Sequence, residues 1–280
     1  MTMDLKNKTV IVTGAASGIG RALGLKLAEA GCRLALGDID VKGLAETSDM
    51  ITKKGGHASI HPVDMGDRDQ VYAFAESVIG HHGNVHVLVN NAGVTLTALI
   101  EEMEDADFEW VMNINFWGMV HATRAFLPNL KSTGKAHIVN VSSVFGLCGI
   151  PTQAAYNSSK FAIRGFTESL NQELKGTGVS ASVVFPGGIL TNIAKNGRFK
   201  SNSGLVRDKS DVVALHEKLS FTSADTAAKR IIKAIQKQER RVLIGFDAYL
   251  FDIIQRVFPS GYQTILNLLI SKRDHFLKNQ

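Results

Sequence analysis

Two cysteines, Cys32 and Cys148, are all that the 280 residues contain. A single pair cannot build a disulfide framework. Of the two readings left, a redox pair and two small buried side chains, the second fits better and points to a reducing, cytoplasmic compartment. The five prolines and the glycines stand singly where turns need them, so no linker divides the chain. No apolar run reaches the roughly 18 residues that a membrane-spanning helix requires. Residues 1–8 are short and polar and lack the pattern of a secretory signal. The charge is also mild, with 31 Lys and Arg against 26 Asp and Glu. The densest basic stretch, Lys237-Gln238-Glu239-Arg240-Arg241, is broken by a glutamate. It reads as a solvated face, and no nucleic-acid partner is expected. His81-His82 lack a third ligand at zinc spacing, so no metal site is expected. His61 and His137 fall in strands and suggest no catalysis.

What is present is an ordinary globular composition, 45% hydrophobic and 20% charged, long enough to bury a substantial core. Short apolar runs alternate with longer segments of helical spacing. The predicted strands are Thr9–Thr13, Arg33–Asp38, Ala58–Val63, Val85–Asn90, Ala136–Ser143, Ser180–Phe185 and Arg241–Gly245. The predicted helices lie near Gly18–Ala30, Val41–Lys54, Arg68–His82, Asp105–Leu130, Ala154–Leu174 and Asp225–Lys237. Strand cores such as Val10-Ile11-Val12 and Val87-Leu88-Val89 are apolar without alternation, which suits a parallel sheet buried on both faces. Alternation of this kind implies a doubly wound α/β fold. Two stretches break the rhythm. One is the polar, irregular segment Gly187 to Ser223. The other is the tail from Phe246 to Gln280, read as a helical hairpin with arms near Tyr249–Ile254 and Ile265–Ile270.

The first predicted strand ends in Thr13-Gly14-Ala15-Ala16-Ser17-Gly18-Ile19-Gly20, where a helix begins. Glycine at Gly14 permits a backbone geometry closed to other residues. Gly18 allows close approach to a pyrophosphate and Gly20 allows tight packing of helix on sheet. The helix N-terminus offers free N–H groups to the anion. Asp38 ends the second strand near the spacing of an acid that binds an adenosine ribose. Its carboxylate would accept bonds from both ribose hydroxyls and repel a 2′-phosphate, which favours NAD and leaves NADP open. Asp38 could instead be a cap or turn aspartate, and Asp40 competes for the ribose role.

The glycine spacing resembles that of the short-chain dehydrogenase/reductase family, and further motifs similar to that family's follow in order. They are Asn90-Asn91-Ala92-Gly93, Asn115 in Asn115-Phe116-Trp117-Gly118, Ser143, Tyr156-Asn157-Ser158-Ser159-Lys160, and Pro186-Gly187-Gly188-Ile189-Leu190-Thr191. The resemblance implies a Rossmann-like, mostly parallel seven-stranded sheet with helices on both faces and an extra C-terminal helical tail. Residues 1–245 would form one catalytic domain, residues 188–223 would cover the substrate, and residues 246–280 would extend the same domain. Gly14, Ser17, Gly18, Ile19 and Gly20 should line the pyrophosphate and Asp38 the ribose. Asp64 and Met65 should lie beside the adenine. Asn91, Ala92 and Gly93 should pass close to the cofactor. Tyr156 and Lys160 should meet the nicotinamide ribose. Pro186, Gly187, Ile189 and Thr191 should line the nicotinamide end. Asn90 should tie neighbouring strands.

Tyr156 and Lys160 share one helix face. A free phenol ionises near a pKa of about 10, too high for a base at neutral pH. A nearby ammonium and a positively charged nicotinamide both favour the phenolate. Tyr156 is therefore expected to act as general base in alcohol oxidation and as acid in ketone reduction. Ser143 is expected to orient the substrate oxygen. The adjacent Ser142 should point the other way, since strand neighbours face opposite sides. By the family's pattern, Asn115 helps hold a water that links Lys160 to solvent.

Val144, Phe145, Leu147, Ile150 and Pro151, with Ile189, Leu190, Ile193, Phe199, Leu205, Val206 and Leu215, suggest an apolar pocket. The expected substrate is a steroid, retinoid, long-chain or aryl alcohol or ketone. The long apolar tail departs from the short glycine-rich ending of tetrameric relatives, so a homodimer is expected, with a tetramer as the alternative. The tail itself could cover the site, pack on a partner or touch a membrane surface. Two rival readings are an epimerase or dehydratase with tightly held cofactor, and a catalytically silent binding protein.

Overall fold

The computed structural model describes residues 2–200 and 208–265. In chain order its elements begin with β1 (Thr9–Thr13), α1 (Gly18–Glu29), β2 (Arg33–Asp38), α2 (Val41–Thr52), β3 (His57–Pro62), α3 (Arg68–His82), β4 (Val87–Asn90) and β5 (Leu96–Thr97). Then come α4 (Asp105–Met112), a π-helical turn (Asn113–Trp117), α5 (Gly118–Ser132), β6 (Ala136–Val141), α6 (Ala154–Glu173), β7 (Val179–Pro186) and β8 (Ile189–Leu190). The chain continues through α7 (Ile193–Asn196), β9 (Arg198–Phe199), α8 (Lys209–Leu219), β10 (Thr222–Ser223), α9 (Ala224–Lys237), β11 (Arg241–Ile244) and α10 (Phe246–Val257).

Seven strands form one sheet in the order β11-β7-β6-β4-β1-β2-β3. Every pairing in it is parallel, so the "mostly parallel" expectation becomes a wholly parallel sheet. β1, β4 and β6 are buried at every residue. Helices cover both faces, which explains the apolar runs Val10-Ile11-Val12 and Val87-Leu88-Val89, while β6 also buries His137 and Asn140. One layer of core joins Val10, Val12 and Leu36 to Leu23 and Leu27 of α1 and Ile231 and Ile235 of α9. The other joins Ile11, Leu88 and Ile138 to Phe74 of α3 and Phe126 of α5. In α9 the buried residues Ala227, Ala228, Ile231, Ala234 and Ile235 form one stripe of helical period.

The predicted helix Asp105–Leu130 is interrupted by the π turn at Asn113–Trp117. The predicted strand Ala136–Ser143 stops at Val141. The irregular segment from Gly187 gains two short strand pairings, β8 with β10 and β5 with β9. Within it, Arg198 and Lys200 are ion-paired to the buried Asp107 of α4 at 3.2 and 2.6 Å. This fastens the segment over the sheet's carboxyl edge. Leu205 and Val206 lie outside the described residues. So does the second tail arm beyond Ile265. The first arm is α10, which packs against the chain's own Leu147, Cys148, Val183 and Phe185. Both cysteines are free and buried, and burial lifts their thiols to about 12 at Cys32 and about 11 at Cys148. Among the described residues no helix is long and apolar enough to cross a membrane, and no group of three potential ligands could hold a metal ion.

Candidate active site

The turn after β1 is shaped by contacts that leave no room for side chains. Gly14 has φ +67°, and a Cβ there would lie 2.8 Å from the Ala92 Cα. A Cβ at Gly20 would fall 2.0 Å from the Gly14 carbonyl oxygen. Gly20 thus lets the helix start against its own turn, a tighter reason than the helix-on-sheet packing expected. Gly18 has φ +53° and faces the Thr191 side chain. Ser17 caps α1 with extended backbone, yet its hydroxyl makes no capping bond. The first-turn N–H groups and that hydroxyl are therefore available to an anion.

The two aspartates after β2 separate cleanly. Asp40 caps α2, accepting from the Gly43 N–H at 3.0 Å. Asp38 accepts instead from Ala16 N–H of the glycine turn at 2.9 Å and from Asp40 N–H at 3.0 Å. Its carboxylate sits against the turn, as a ribose-binding acid would. Asp64 accepts from the Gly66 N–H at 2.8 Å, and Met65 is buried against Gly118. Asn91 turns its amide onto the Thr13 and Gly14 carbonyls at 2.9 and 3.2 Å. Thr13 Oγ1 accepts from Asn91 and Ala92 N–H, both at 3.1 Å. Asn91 therefore braces the glycine turn through its side chain. Asn90 donates to Asn140 of β6 at 2.8 Å, a tie between neighbouring strands. The close glycine turn, the uncommitted Ser17 hydroxyl and the Asp38 carboxylate together fit a dinucleotide.

Tyr156 and Lys160 lie one turn apart on the inner face of α6, only 8% and 3% exposed. The Lys160 ammonium donates to the Val141 carbonyl at 3.0 Å and lies 5.4 Å from the Tyr156 ring centre. A Cβ at Gly93 would sit 3.1 Å from the Asn115 Oδ1 and 3.4 Å from the Lys160 Nζ, so the backbone here passes close to both. The Ser143 hydroxyl accepts from Phe145 N–H at 3.1 Å and neighbours the Tyr156 phenol, whose pKa it lowers. Ser142 points away and donates to the Lys160 carbonyl at 2.8 Å. The strand has ended, but its alternation persists through these two residues. Asn115 accepts from Val94 N–H at 2.8 Å and donates to the Val94 carbonyl and the Ser159 hydroxyl, both at 3.0 Å. Its two amide N–H groups are both used, and the side chain is fixed between the Val94 backbone and Ser159.

Burial pushes the Tyr156 phenol up to about 12, and the neighbouring Ser143 hydroxyl offsets only part of this. Burial pushes the Lys160 ammonium down to about 8. In the protein alone, burial therefore favours the neutral phenol.

Three side chains that frame the site carried no sequence signal. Asn157 donates to the Phe145 and Cys148 carbonyls at 2.8 and 2.7 Å, holding the loop after Ser143. Asp247 of α10 accepts from Gly188 N–H at 2.6 Å. The Tyr262 hydroxyl accepts from Gly149 N–H at 3.1 Å. Each is a long-range contact to backbone, which local spacing does not encode.

A dinucleotide cradle and a buried Ser–Tyr–Lys cluster at the same sheet edge define a nicotinamide-dependent α/β oxidoreductase. The chain belongs to the short chain dehydrogenase family, whose pattern it matches over residues 8–202. It is 39% identical over 275 residues to the oxidoreductase SadH of Mycobacterium tuberculosis, spanning 96% of this chain and 97% of that one. It is 32% identical over 273 residues to estradiol 17-beta-dehydrogenase 11 of Rattus norvegicus, spanning 96% and 85%. Among solved structures it resembles a short chain dehydrogenase/reductase from Burkholderia phymatum in complex with NAD. That match has a TM-score of 0.81 at 29% identity and covers 91% of this chain and 94% of that one.

Proposed function

We propose that the protein interconverts an apolar secondary alcohol and its ketone, or a primary alcohol and its aldehyde, with NAD preferred over NADP. The observation that carries this reading is the Tyr156 phenol, buried, beside the Ser143 hydroxyl and one turn from the Lys160 ammonium. Gly14, Ser17, Gly18, Ile19 and Gly20 would hold the pyrophosphate and Asp38 the adenosine ribose. Asp64 and Met65 would flank the adenine, with Asn91, Ala92 and Gly93 beneath the cofactor. Pro186, Gly187, Ile189 and Thr191 would line its nicotinamide end. When bound, the nicotinamide supplies the two-electron acceptor or donor and, when oxidised, a positive charge beside the phenol.

Tyr156 takes the hydroxyl proton in oxidation and returns it in reduction. With a phenol at about 12, cationic neighbours must bring its ionisation down, and Lys160 is the protein's contribution. Lys160 also meets the ribose, and Ser143 fixes the substrate oxygen beside the phenol. Asn115 supports the position of Lys160 from the π turn.

The apolar substrate is supported by Val144, Phe145, Leu147 and Ile150 beside Ser143, and by the exposed Leu190. A relative named for estradiol makes steroids the first class to test. The exposed Trp117 and Phe161 support a homodimer, which light scattering after gel filtration tests. The decisive experiment is a panel of steroid, retinoid, long-chain and aryl alcohols and ketones, each with NAD(H) and NADP(H), followed by the absorbance of reduced nicotinamide. Turnover confined to apolar substrates supports the reading. Cofactor binding without turnover across the panel overturns it.

A further inference from the structure

The tail helix reaches both loops that flank the site. The chain leaves β11 at Gly245 (φ +93°) and enters α10. In the first turn of that helix the Asp247 carboxylate faces the loop that follows β7. It accepts from Gly188 N–H at 2.6 Å. A Cβ at Gly187 would lie 2.1 Å from either carboxylate oxygen, so the acid fills the space a side chain would take. Gly187 N–H is also bonded to the Ile244 carbonyl at 2.9 Å. Beyond α10 the chain turns at Phe258, and the Tyr262 hydroxyl accepts from Gly149 N–H in the loop that begins at Ser143. Between these two contacts α10 is bolted to the sheet. Asp252 is ion-paired to Arg241 of β11 at 2.6 Å, and Ile254, Phe251 and Tyr262 pack with Leu147 and Phe185.

We propose that the tail is a two-point clamp, in which Asp247 positions the nicotinamide loop and Tyr262 positions the substrate loop. What those loops bind rests on the function proposed above. The physical reason is the freedom of the segment held. Gly187-Gly188 lacks side chains and would sample many backbone states if untethered. Ordering it would then oppose cofactor binding. A carboxylate on its N–H fixes one state in advance, and such a charge-assisted bond is stronger than a neutral one. The Tyr262 bond is neutral, acts only on the Gly149 side, and should bear on substrate alone. Both are positioning residues, since neither touches Tyr156, Lys160 or Ser143 in the structure.

The test uses the full chain with Asp247→Ala, Asp247→Asn and Tyr262→Phe. It reads NADH affinity by fluorescence titration, substrate KM and kcat, and amide hydrogen exchange at Gly188 and Gly149. Asp247→Ala should weaken NADH binding about tenfold and speed exchange at Gly188, with little change in kcat at saturation. Asp247→Asn keeps an acceptor oxygen and should recover part of both losses, and it serves if the alanine variant does not fold. Tyr262→Phe should leave NADH affinity unchanged, raise substrate KM about threefold and speed exchange at Gly149. Unchanged NADH affinity and Gly188 exchange in both Asp247 variants would overturn the proposal. So would a uniform loss of every parameter in all three. If the wild-type chain binds neither dinucleotide, the functional reading fails, and exchange at Gly188 and Gly149 still decides whether the clamp exists.

Discussion

The Lys160 ammonium is bonded to the Val141 carbonyl at 3.0 Å, so the cation nearest the Tyr156 phenol is anchored to the sheet. This fixes the distance of the lysine nitrogen from the ring. It also buries a cation, and burial lowers its pKa to about 8. The arrangement is costly before any ligand binds.

That cost is measurable. A lysine that ionises near 10.5 unfolded and near 8 folded binds more protons in the unfolded chain between those values. Stability therefore rises as pH climbs from 8 to 10.5, by up to about 3 kcal/mol. Lys160→Met should abolish turnover, unfold at higher urea than the wild type near pH 7, and lose this alkaline gain. Urea titrations at pH 7 to 10.5 would decide. A methionine variant less stable at pH 7 would show that the Val141 bond outweighs desolvation.

Tyr156→Phe removes one oxygen from a ring otherwise held by Phe145 at 5.9 Å, edge to face. The ring should stay in place. Turnover should fall about a thousandfold, within the range for loss of a general acid/base. NADH affinity should change less than twofold, since the glycine turn and Asp38 are untouched. Titration alongside steady-state kinetics checks both. A variant retaining most of its activity would mean that another group moves the proton.

His137 gives an acid limit to stability. Its ring nitrogens bond the Ser180 and Ser182 hydroxyls of β7 at 2.7 Å each, and burial lowers its pKa to about 4. The unfolded chain protonates near 6.5, the folded one near 4. This contribution is whole above 6.5 and is lost as pH falls towards 4, on the order of 3 kcal/mol. The half-buried His82, also lowered to about 4, adds a smaller share in the same direction. Tm between pH 4 and 7 should fall less steeply for His137→Gln than for the wild type. Parallel curves would show that His137 does not titrate in this window.

Asp38→Asn tests the choice of dinucleotide. Neutralising this carboxylate removes both an acceptor for ribose hydroxyls and a repulsion against a 2′-phosphate. The ratio of kcat/KM for NAD over NADP should drop at least tenfold, consistent with about 1.5 kcal/mol or more for a bond to a charged acceptor. An unchanged ratio would place the selecting group elsewhere.

Much of the fold was legible because buried parallel strands have few choices. Val10-Ile11-Val12 and Val87-Leu88-Val89 must be apolar throughout, and the glycines at 14 and 20 admit no side chain. Alternation allowed only one of Ser142 and Ser143 to face the site, and the family-like spacing to Tyr156 singled out Ser143. The π turn at Asn115 was not legible, because its residues are as compatible with an α-helix as with the wider turn. The same holds for the two-residue strands between Gly187 and Ser223, which exist through tertiary pairing and ion pairs to Asp107. The burial of the phenol was not legible either, because a sequence displays the neighbouring cation and conceals the depth at which the ring sits. Asp247 went unnoticed because an aspartate early in a helix has an ordinary explanation in the helix dipole.

The sheet order places β1 between β2 on one side and β4, β6 and β7 on the other. Asp38 sits on the first side, while Ser143 and Tyr156 are delivered from the second. Under the proposed function, recognition of the adenosine end and chemistry at the nicotinamide end would fall to separate stretches of chain on either side of one strand. A chain laid out in this way can exchange its coenzyme preference while keeping its reaction, or acquire a new substrate without altering the coenzyme it uses.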